Sequence, residues 1–451
     1  MRCKVNEEEL LKKAEQPTKE AMRLHPFYKG KIQIVPKCCI RDFNDFAIWY
    51  TPGVAQPCKE IASNPLKVFE YTNKANTVGI ITDGSRVLGL GDIGPEASLP
   101  VMEGKAILYK YLGGVDAFPL PIATKDPEEF INIVKKVAPV FGGINLEDIA
   151  HPKCFYILER LRKEMDIPVW HDDQQGTATV VLAALYNALK LVGKKIDKVT
   201  LTLIGAGASN IHTAKLLITA GVPPENLIMV DSKGILHKDR ADIAEQKEKY
   251  KDKWRFCQIT NKHNRRGGIK EAMEGADVCI GLSTPGPDTI KADWVSSMNR
   301  DAILFACANP VPEIWPWKAK EAGAKIIGTG RSDFENQINN SLGFPGIFRG
   351  TLDVMAKTIT DEMCIAAAKE LAKVAEDKGL REDYIIPSMD EWEVFPREAV
   401  AVALTAIEQG IARYKFTKEE LYKKAEKTIR HSRELLQCLM KNNFIPSPLT
   451  T

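Results

Sequence analysis

The stretch from residue 199 to residue 231 constrains the fold more than any other. Val199-Thr200-Leu201-Thr202-Leu203-Ile204 is an apolar, β-branched run of the kind found in buried strands. Gly205-Ala206-Gly207-Ala208-Ser209-Asn210 follows at once, then a helical stretch over 211–220, then Leu227-Ile228-Met229-Val230 ending on Asp231. Strand, tight glycine turn, helix, strand and terminal acid within about thirty residues make the dinucleotide-binding βαβ unit of a doubly wound sheet. Gly205 permits the sharp turn, and Gly207 lets the backbone approach a pyrophosphate at the helix N-terminus. Asp231 is placed to accept hydrogen bonds from ribose hydroxyls. Asn210 stands where a third glycine is usual, which predicts slightly wider packing of helix on strand. A glycine-turned βαβ unit without a ligand is the alternative.

The alternation continues beyond this unit. Buried-strand runs at 276–282, 302–306 and 325–330 are followed by Ser283-Thr284-Pro285, Asn309-Pro310 and Arg331-Ser332-Asp333. Ligands bind outside the carboxyl ends of parallel strands, so these loops are expected to line the cofactor crevice. Ser283, Asn309 and the Asn339-Asn340 pair lie near such ends; ordinary turn chemistry explains the same residues. A second glycine pattern, Gly89-Leu90-Gly91-Asp92-Ile93-Gly94, matches GxGxxG by letter alone. Asp92 would put a negative charge in the phosphate cradle, and Pro95 and Pro100 are expected to interrupt the start of the helix over 101–112.

Upstream, two adjacent acidic pairs flank a helix and a short strand. Glu147-Asp148 precedes a helical stretch over 149–163, whose apolar stripe is Phe155, Ile157, Leu158 and Leu161. A short strand over 167–170 leads to His171-Asp172-Asp173-Gln174-Gln175-Gly176-Thr177. Helix and returning strand bring both pairs to one end of the unit. Carboxylates packed that closely are costly unless a cation sits among them, and a hard divalent ion such as Mg²⁺ or Mn²⁺ suits oxygen donors. Two solvated acidic turns are the alternative. Lys105 precedes the apolar Ala106-Ile107-Leu108, where partial burial is expected to lower its pKa. Arg86 and Tyr50 each sit at a turn, as surface or packing residues unless they face a ligand.

The chain is long enough, at 451 residues, for two or three domains. A net charge of +3 without a long basic run excludes a nucleic-acid groove. Ten scattered cysteines without CxxC, no apolar stretch of membrane length and an acidic N-terminus without a leader's apolar core fit a cytoplasmic protein. The expected fold is α/β. A substrate domain spans 1–165, a doubly wound Rossmann-type dinucleotide-binding domain 166–380, and a helical tail 381–451 packs on the first domain or on a partner subunit. The pattern predicts helices over 6–24 (Asn6 as N-cap), 353–378, 397–412 and 417–440, the last with a Thr417/Glu420 capping box. It also predicts a strand over 31–36 and an all-apolar helix, buried between layers, over 176–191.

With these residues in place the chain resembles the malic enzymes of the short prokaryotic type, from about residue 20 to about residue 410. The resemblance rests on Trp49-Tyr50-Thr51-Pro52-Gly53-Val54, the 82–92 segment Thr82-Asp83-Gly84-Ser85-Arg86-Val87-Leu88-Gly89-Leu90-Gly91-Asp92, Gly104-Lys105, Glu147-Asp148, the 171–177 segment, Gly205-Ala206-Gly207, Ala308-Asn309-Pro310 and Asn339-Asn340. It implies oxidative decarboxylation of L-malate to pyruvate and CO₂, with NAD (NADP possible) reduced and Mg²⁺ or Mn²⁺ required. By motif, Glu147, Asp148 and Asp173 would ligate the metal, and Arg86, Asn309 and Asn340 would hold the substrate carboxylates. Lys105 would be the general base, Asp172 its hydrogen-bonded partner and Tyr50 the general acid. Gly205, Ala206, Gly207, Ala208, Ser209, Asn210, Asp231, Ser283 and Asn309 would face the nucleotide. Assembly at least into homodimers is implied. The tail is too short for the acyltransferase domain fused to some relatives.

Two other readings compete: a metal-independent NAD(P)-dependent dehydrogenase using Lys105 as base, and a non-catalytic nucleotide-binding sensor. The first leaves the four carboxylates unexplained. The second leaves Tyr50, Lys105 and the acids without a role.

Overall fold

The computed structural model of the chain describes residues 7–448. Two parallel sheets carry the architecture. The first is formed by β1 (Thr77–Thr82), β2 (Asp116–Pro121), β3 (Gly143–Leu146) and β4 (Val169–His171), in the order β2-β1-β3-β4. The second comprises β5 (Leu201–Ile204), β6 (Leu227–Asp231), β7 (Gly234–Ile235), β8 (Val278–Gly281), β9 (Ile303–Ala306) and β10 (Ile326–Thr329), in the order β10-β9-β8-β5-β6-β7. Only the short β7 is antiparallel. Parallel neighbours need crossover helices, which cover the faces and explain why these strands are apolar throughout rather than alternating.

The long N-terminal helix α1 (Glu7–Tyr28) runs past the expected end, and its proposed N-cap, Asn6, lies outside the described residues. Helix α2 (Gly94–Gly113) links β1 to β2 and begins well before the expected position 101. Pro95 lies in its first turn, where a missing N–H costs nothing, so neither it nor Pro100 interrupts the helix start. The helix ends on Gly114 at φ +64°, where a Cβ would come within 2.9 Å of Thr428. Helix α3 (Lys153–Glu164) links β3 to β4 and buries Cys154, Ile157, Leu158 and Leu161.

The boundary expected at residue 165 does not match the sheet. Residues 169–171 pair with β3 (Ile144↔Val169, Leu146↔His171), so the first unit extends through β4. Helix α4 (Thr177–Leu191) then joins the two units. Its side chains from Ala178 to Leu185 are buried, as its uniformly apolar composition requires. One core runs from Val78 in β1 through α4 to Phe305 in β9 and Ile429 near the C-terminus, so both sheets share apolar packing.

The strand expected over 31–36 is absent: the segment is irregular and exposed, with Ile34 at 88%. Its alternating pattern finds no neighbouring strand edge to pair with. The single helix expected over 353–378 is instead α6 (Phe344–Asp353) and α7 (Asp361–Asp377), because Thr360 caps α7 through Met363 N–H. The tail helices are α8 (Val394–Glu408) and α9 (Lys418–Lys441), and α9 opens with the Thr417/Glu420 capping box. Helix α9 lies on α2: Ser432 Oγ donates to the Lys110 carbonyl at 2.8 Å and Arg433 Nε to that of Tyr111 at 3.1 Å. Among the described residues no helix is long and apolar enough to cross a membrane.

Candidate active site

The first sheet delivers its polar residues at the carboxyl ends of its strands. Arg86 follows β1, Glu147 and Asp148 follow β3, and Asp172 and Asp173 follow β4. Parallel register puts these ends side by side, and one carboxylate oxygen from each of Glu147, Asp148 and Asp173 lies within 4.8 Å of the others. The backbone fixes this nook. Asp148 N donates to Asp173 Oδ2 at 3.0 Å, and Arg86 N to the Asp148 carbonyl at 2.9 Å. Asp148 takes φ +52°, a left-handed conformation that Asp tolerates. Its Oδ2 is buried without a hydrogen-bond partner.

Lys105 reaches the cluster from the middle of α2. Its Nζ lies 2.8 Å from Glu147 Oε1, pairs also with Asp172 Oδ2, and sits 4.5 Å from the centroid of the Phe344 ring. Trp170 Nε1 donates to Asp172 Oδ1 at 3.0 Å. On the other side Tyr109 donates to Asn145 Oδ1 at 2.7 Å, and Asn145 Nδ2 to Glu147 Oε2 at 2.8 Å. A buried hydrogen-bond chain therefore runs Tyr109, Asn145, Glu147, Lys105, Asp172, Trp170, and holds the amine and two carboxylates in fixed positions. Asn145, a polar residue inside a buried strand, was the available sequence signal for this chain; Tyr109 and Trp170 read only as core.

The three carboxylates raise one another's affinity for protons. Burial, and then the neighbouring Asp173, push the Asp148 carboxyl up to about 8. Burial likewise raises Glu147 well above the carboxylate range, with Asp173, Asp172 and Asp148 adding to it against the relief from Lys105. Asp173 is also raised, by burial. Without positive charge among them, these groups hold protons. The oxygen-only donor set, its spacing and the orphaned Asp148 Oδ2 fit a hard divalent ion. Lys105 departs from expectation. Burial acts to lower its pKa, but the Asp172 and Glu147 carboxylates outweigh it and hold the amine above the ordinary lysine range.

A pH dependence follows. The Asp148 carboxyl is raised, so below about pH 8 the folded chain keeps a proton there that the unfolded chain has released. Metal must displace that proton, so Mn²⁺ affinity, followed by calorimetric titration, is expected to climb from pH 5.5 to a plateau near about pH 8. The metal-free chain should lose stability over the same interval, and Asp148→Asn should flatten both trends.

The second sheet supplies the glycine turn. Gly205 has φ +98°, and a Cβ there would lie 2.6 Å from the Leu282 carbonyl. A Cβ on Gly207 would meet only His151, at 3.9 Å, so the approach to the N-terminus of α5 (Ala208–Thr219) is open. Ala206 and His151 line one cleft there, which places the turn beside the first unit; Ala208 and Ser209 open the helix. Asn210 does not act as a spacer. Its buried amide donates to the carbonyls of Ile204 at 2.8 Å and Gly205 at 3.0 Å, tying the helix back onto the turn. Asp231 ends β6 as expected, but its carboxylate is already engaged by Arg240 and Lys253.

The loops after β8 and β9 are held by a residue that reads in the sequence only as part of a turn. Buried Glu313 accepts from Ser283 N at 2.9 Å and Ala308 N at 3.0 Å, fixing the positions of Ser283 and Asn309. Glu313→Ala would orphan both N–H groups and is expected to cost about 2–4 kcal/mol, read as a fall in Tm, with Glu313→Gln recovering part of it. Across the cleft, a Cβ on Gly89 would lie 3.1 Å from the Asn309 carbonyl. Asn339 caps the following turn through Ser341 N, while Asn340 lies beside Gly176 and Asp172.

The structure thus brings together Lys105, Glu147, Asp148, Asp172 and Asp173, with Asn340 beside Gly176, and with Arg86 on the adjoining loop, near enough to offset a little of the rise at Asp173. Tyr50 is not among them. It is 71% exposed, its hydroxyl makes no hydrogen bond among the described residues, and Ile34, Phe43 and Trp49 are exposed as well.

Residues 174–408 match the family model described as malic enzyme, NAD binding domain, and residues 29–126 and 123–162 match malic enzyme, N-terminal domain. A curated relative, the NAD-dependent malic enzyme of Geobacillus stearothermophilus, is 50% identical over 386 residues, covering 85% of this chain and 78% of that protein. The NADP-dependent malic enzyme of Salmonella typhimurium is 42% identical over 415 residues, covering 88% of this chain and 53% of that longer protein. The crystal structure of Entamoeba histolytica malic enzyme superposes with a TM-score of 0.96 at 48% identity, covering 100% of this chain and 93% of that one.

Proposed function

The chain belongs to the malic enzyme family, and from that premise we infer how its own residues divide the oxidation and decarboxylation of malate. The reaction converts malate to pyruvate and CO₂ with reduction of a nicotinamide cofactor. The observation that carries the assignment is Lys105 held between Glu147 and Asp172, beside a nook of three carboxylates.

Glu147, Asp148 and Asp173 would hold the divalent ion, Mg²⁺ or Mn²⁺, whose chemistry is to polarise the substrate's C2 oxygen. Lys105 removes the proton of the 2-hydroxyl as hydride leaves C2 for the nicotinamide. That role needs a neutral amine. Lys105 shares Glu147 with the cation nook, so its charge is tied to whether that carboxylate is otherwise engaged. Asp172, fixed by Trp170, orients the amine. The Arg86 guanidinium, exposed and without a hydrogen-bond partner among the described residues, is free to pair bidentately with a substrate carboxylate. Asn309 and Asn340, partly open at the cleft, supply neutral donors to it.

Loss of CO₂ from C3 leaves an enol that takes a proton at C3, and Tyr50 is the donor. Its exposed position supports a second proposal, that the chain works as a homodimer or larger homo-oligomer in which exposed apolar side chains such as Ile34, Phe43 and Tyr50 are covered. We assign 1 to about residue 171 to the substrate domain, the following residues through the second sheet to the cofactor domain, and the last helices to a brace on α2. Nine described cysteines are free thiols, which suits the cytoplasm.

Malate-dependent nicotinamide reduction with pyruvate formation, measured before and after chelation and after adding back Mn²⁺, tests this reading. Activity that survives chelation would sink the metal role and favour a metal-independent dehydrogenase.

A further inference from the structure

Hydride transfer takes two electrons from C2 of malate and leaves a ketoacid. The C3–C4 bond breaks only afterwards, its electron pair staying on C3 as CO₂ departs. Between those steps no covalent bond holds the ketoacid, and open water would carry a small dianion away. Its retention depends on how tightly the cleft shuts. We propose, resting on the reaction assigned above, that Gly89 forms the lip on which the cleft seals, and that its missing side chain keeps the ketoacid inside until it has lost CO₂.

The loop over 84–94, between β1 and α2, is built as a fixed lip. At its base Ile93 N and Gly94 N donate to the Gly84 carbonyl at 3.2 and 3.1 Å, and Asp92 pairs with Lys125 at 2.7 Å. Towards its tip Val87 N donates to the Gly91 carbonyl and Leu90 N to that of Val87, each at 2.9 Å. Leu88 and Gly91 take positive φ in this tight turn, and Gly89 stands between them. A Cβ on Gly89 would lie 2.9 Å from Pro285 Cγ, 3.1 Å from the Asn309 carbonyl and 3.6 Å from Pro310 Cδ.

The facing loops, after β8 and β9, are fixed as well. Glu313 holds Ser283 N and Ala308 N, and Arg331 Nη1 donates to the Pro310 carbonyl at 2.5 Å. Two braced lips therefore meet across the cleft without room for a methyl group between them. The φ of Gly89 lies outside the left-handed region, so its backbone does not demand glycine; the facing lip does. Gly89 opens the second glycine pattern of the sequence, and this close approach accounts for it without a phosphate. Arg86 belongs to the same loop, so the lip that shuts also carries a partner for a substrate carboxylate.

Released ketoacid is counted by trapping it with citrate synthase and acetyl-CoA while the whole chain oxidises malate with Mn²⁺ and either nicotinamide cofactor. The parent is expected to give one pyruvate per reduced nucleotide and almost no trapped ketoacid. Gly89→Ala, and more so the bulkier Gly89→Val, should raise the trapped fraction by about tenfold or more, because an overpacked contact disfavours the closed state by that much. Pyruvate per reduced nucleotide should fall in step. Gly89 lies at the surface, so neither change disturbs the core. Pro285→Ala removes the Cγ that the new methyl meets, and should return the Gly89→Ala chain most of the way to the parent's ratio. A purely structural loop defect lowers turnover without moving that ratio. A ratio unmoved in both Gly89 variants of an active enzyme, or a leak that Pro285→Ala does not relieve, overturns the proposal alone. A parent that reduces neither nucleotide with malate overturns the assigned reaction, and this proposal with it.

Discussion

Lys105→Ala is expected to lower malate turnover by about 10²–10⁴-fold while leaving nicotinamide nucleotide affinity nearly intact, the loss typical of a removed general base. Lys105 is the amine that reaches both Glu147 and Asp172, and the nucleotide turn at Gly205–Gly207 belongs to the other sheet. The truncation also leaves two buried carboxylates without their counter-charge, a penalty of about 3–5 kcal/mol in a closed interior. Turnover must therefore be referred to folded protein, with Tm recorded alongside. Small primary amines should restore part of the activity, in an order set by their pKa, because the cavity left behind admits an external base. A variant with full kcat, or a loss no amine can rescue, would assign Lys105 to structure alone.

The second large effect is expected at the cation nook. Asp173→Asn keeps shape and removes one of three charged donors, and Mn²⁺ affinity should fall by about 100-fold or more, since even outer-shell changes cost 10–100-fold. The variant should also be more stable than the parent in the absence of metal at neutral pH, because the repulsion that raises Asp148 and Glu147 is reduced. Loss of metal together with gain in metal-free stability is a signature that a misfolded variant does not produce. Unchanged affinity would mean that Asp173 faces elsewhere in the working enzyme.

Much of this arrangement was legible in the amino-acid order, for identifiable reasons. The second sheet announced itself because parallel strands buried on both faces read as unbroken apolar runs, and because a turn as tight as Gly205 tolerates few residues. The acidic pairs were legible because each follows a strand directly, so sheet register alone brings them together. The three-residue strand Val169–His171 carries too little pattern to reveal which sheet it joins, so the first sheet runs a few residues past the expected boundary at 165. The run at 31–36 alternates like a strand but has no edge to join, and alternation cannot report that. Pro100 was read as a break, yet helix α2 passes through it. Least visible were the ion pairs: nothing in the sequence ties Arg240 to Asp231, or Glu313 to the backbone of residues 283 and 308. Such pairings depend on loop paths rather than on local pattern, and here they engage the Asp231 carboxylate with Arg240 and Lys253.

The central claim is that three side chains from two strand ends share one ion. Crystals of the metal-free chain soaked in Mn²⁺ and measured at the manganese absorption edge test it most directly. The account predicts a single anomalous peak per chain, about 2.0–2.3 Å from one oxygen each of Glu147, Asp148 and Asp173. A strong peak elsewhere, or none at that place when malate turnover is Mn²⁺-dependent, would contradict it.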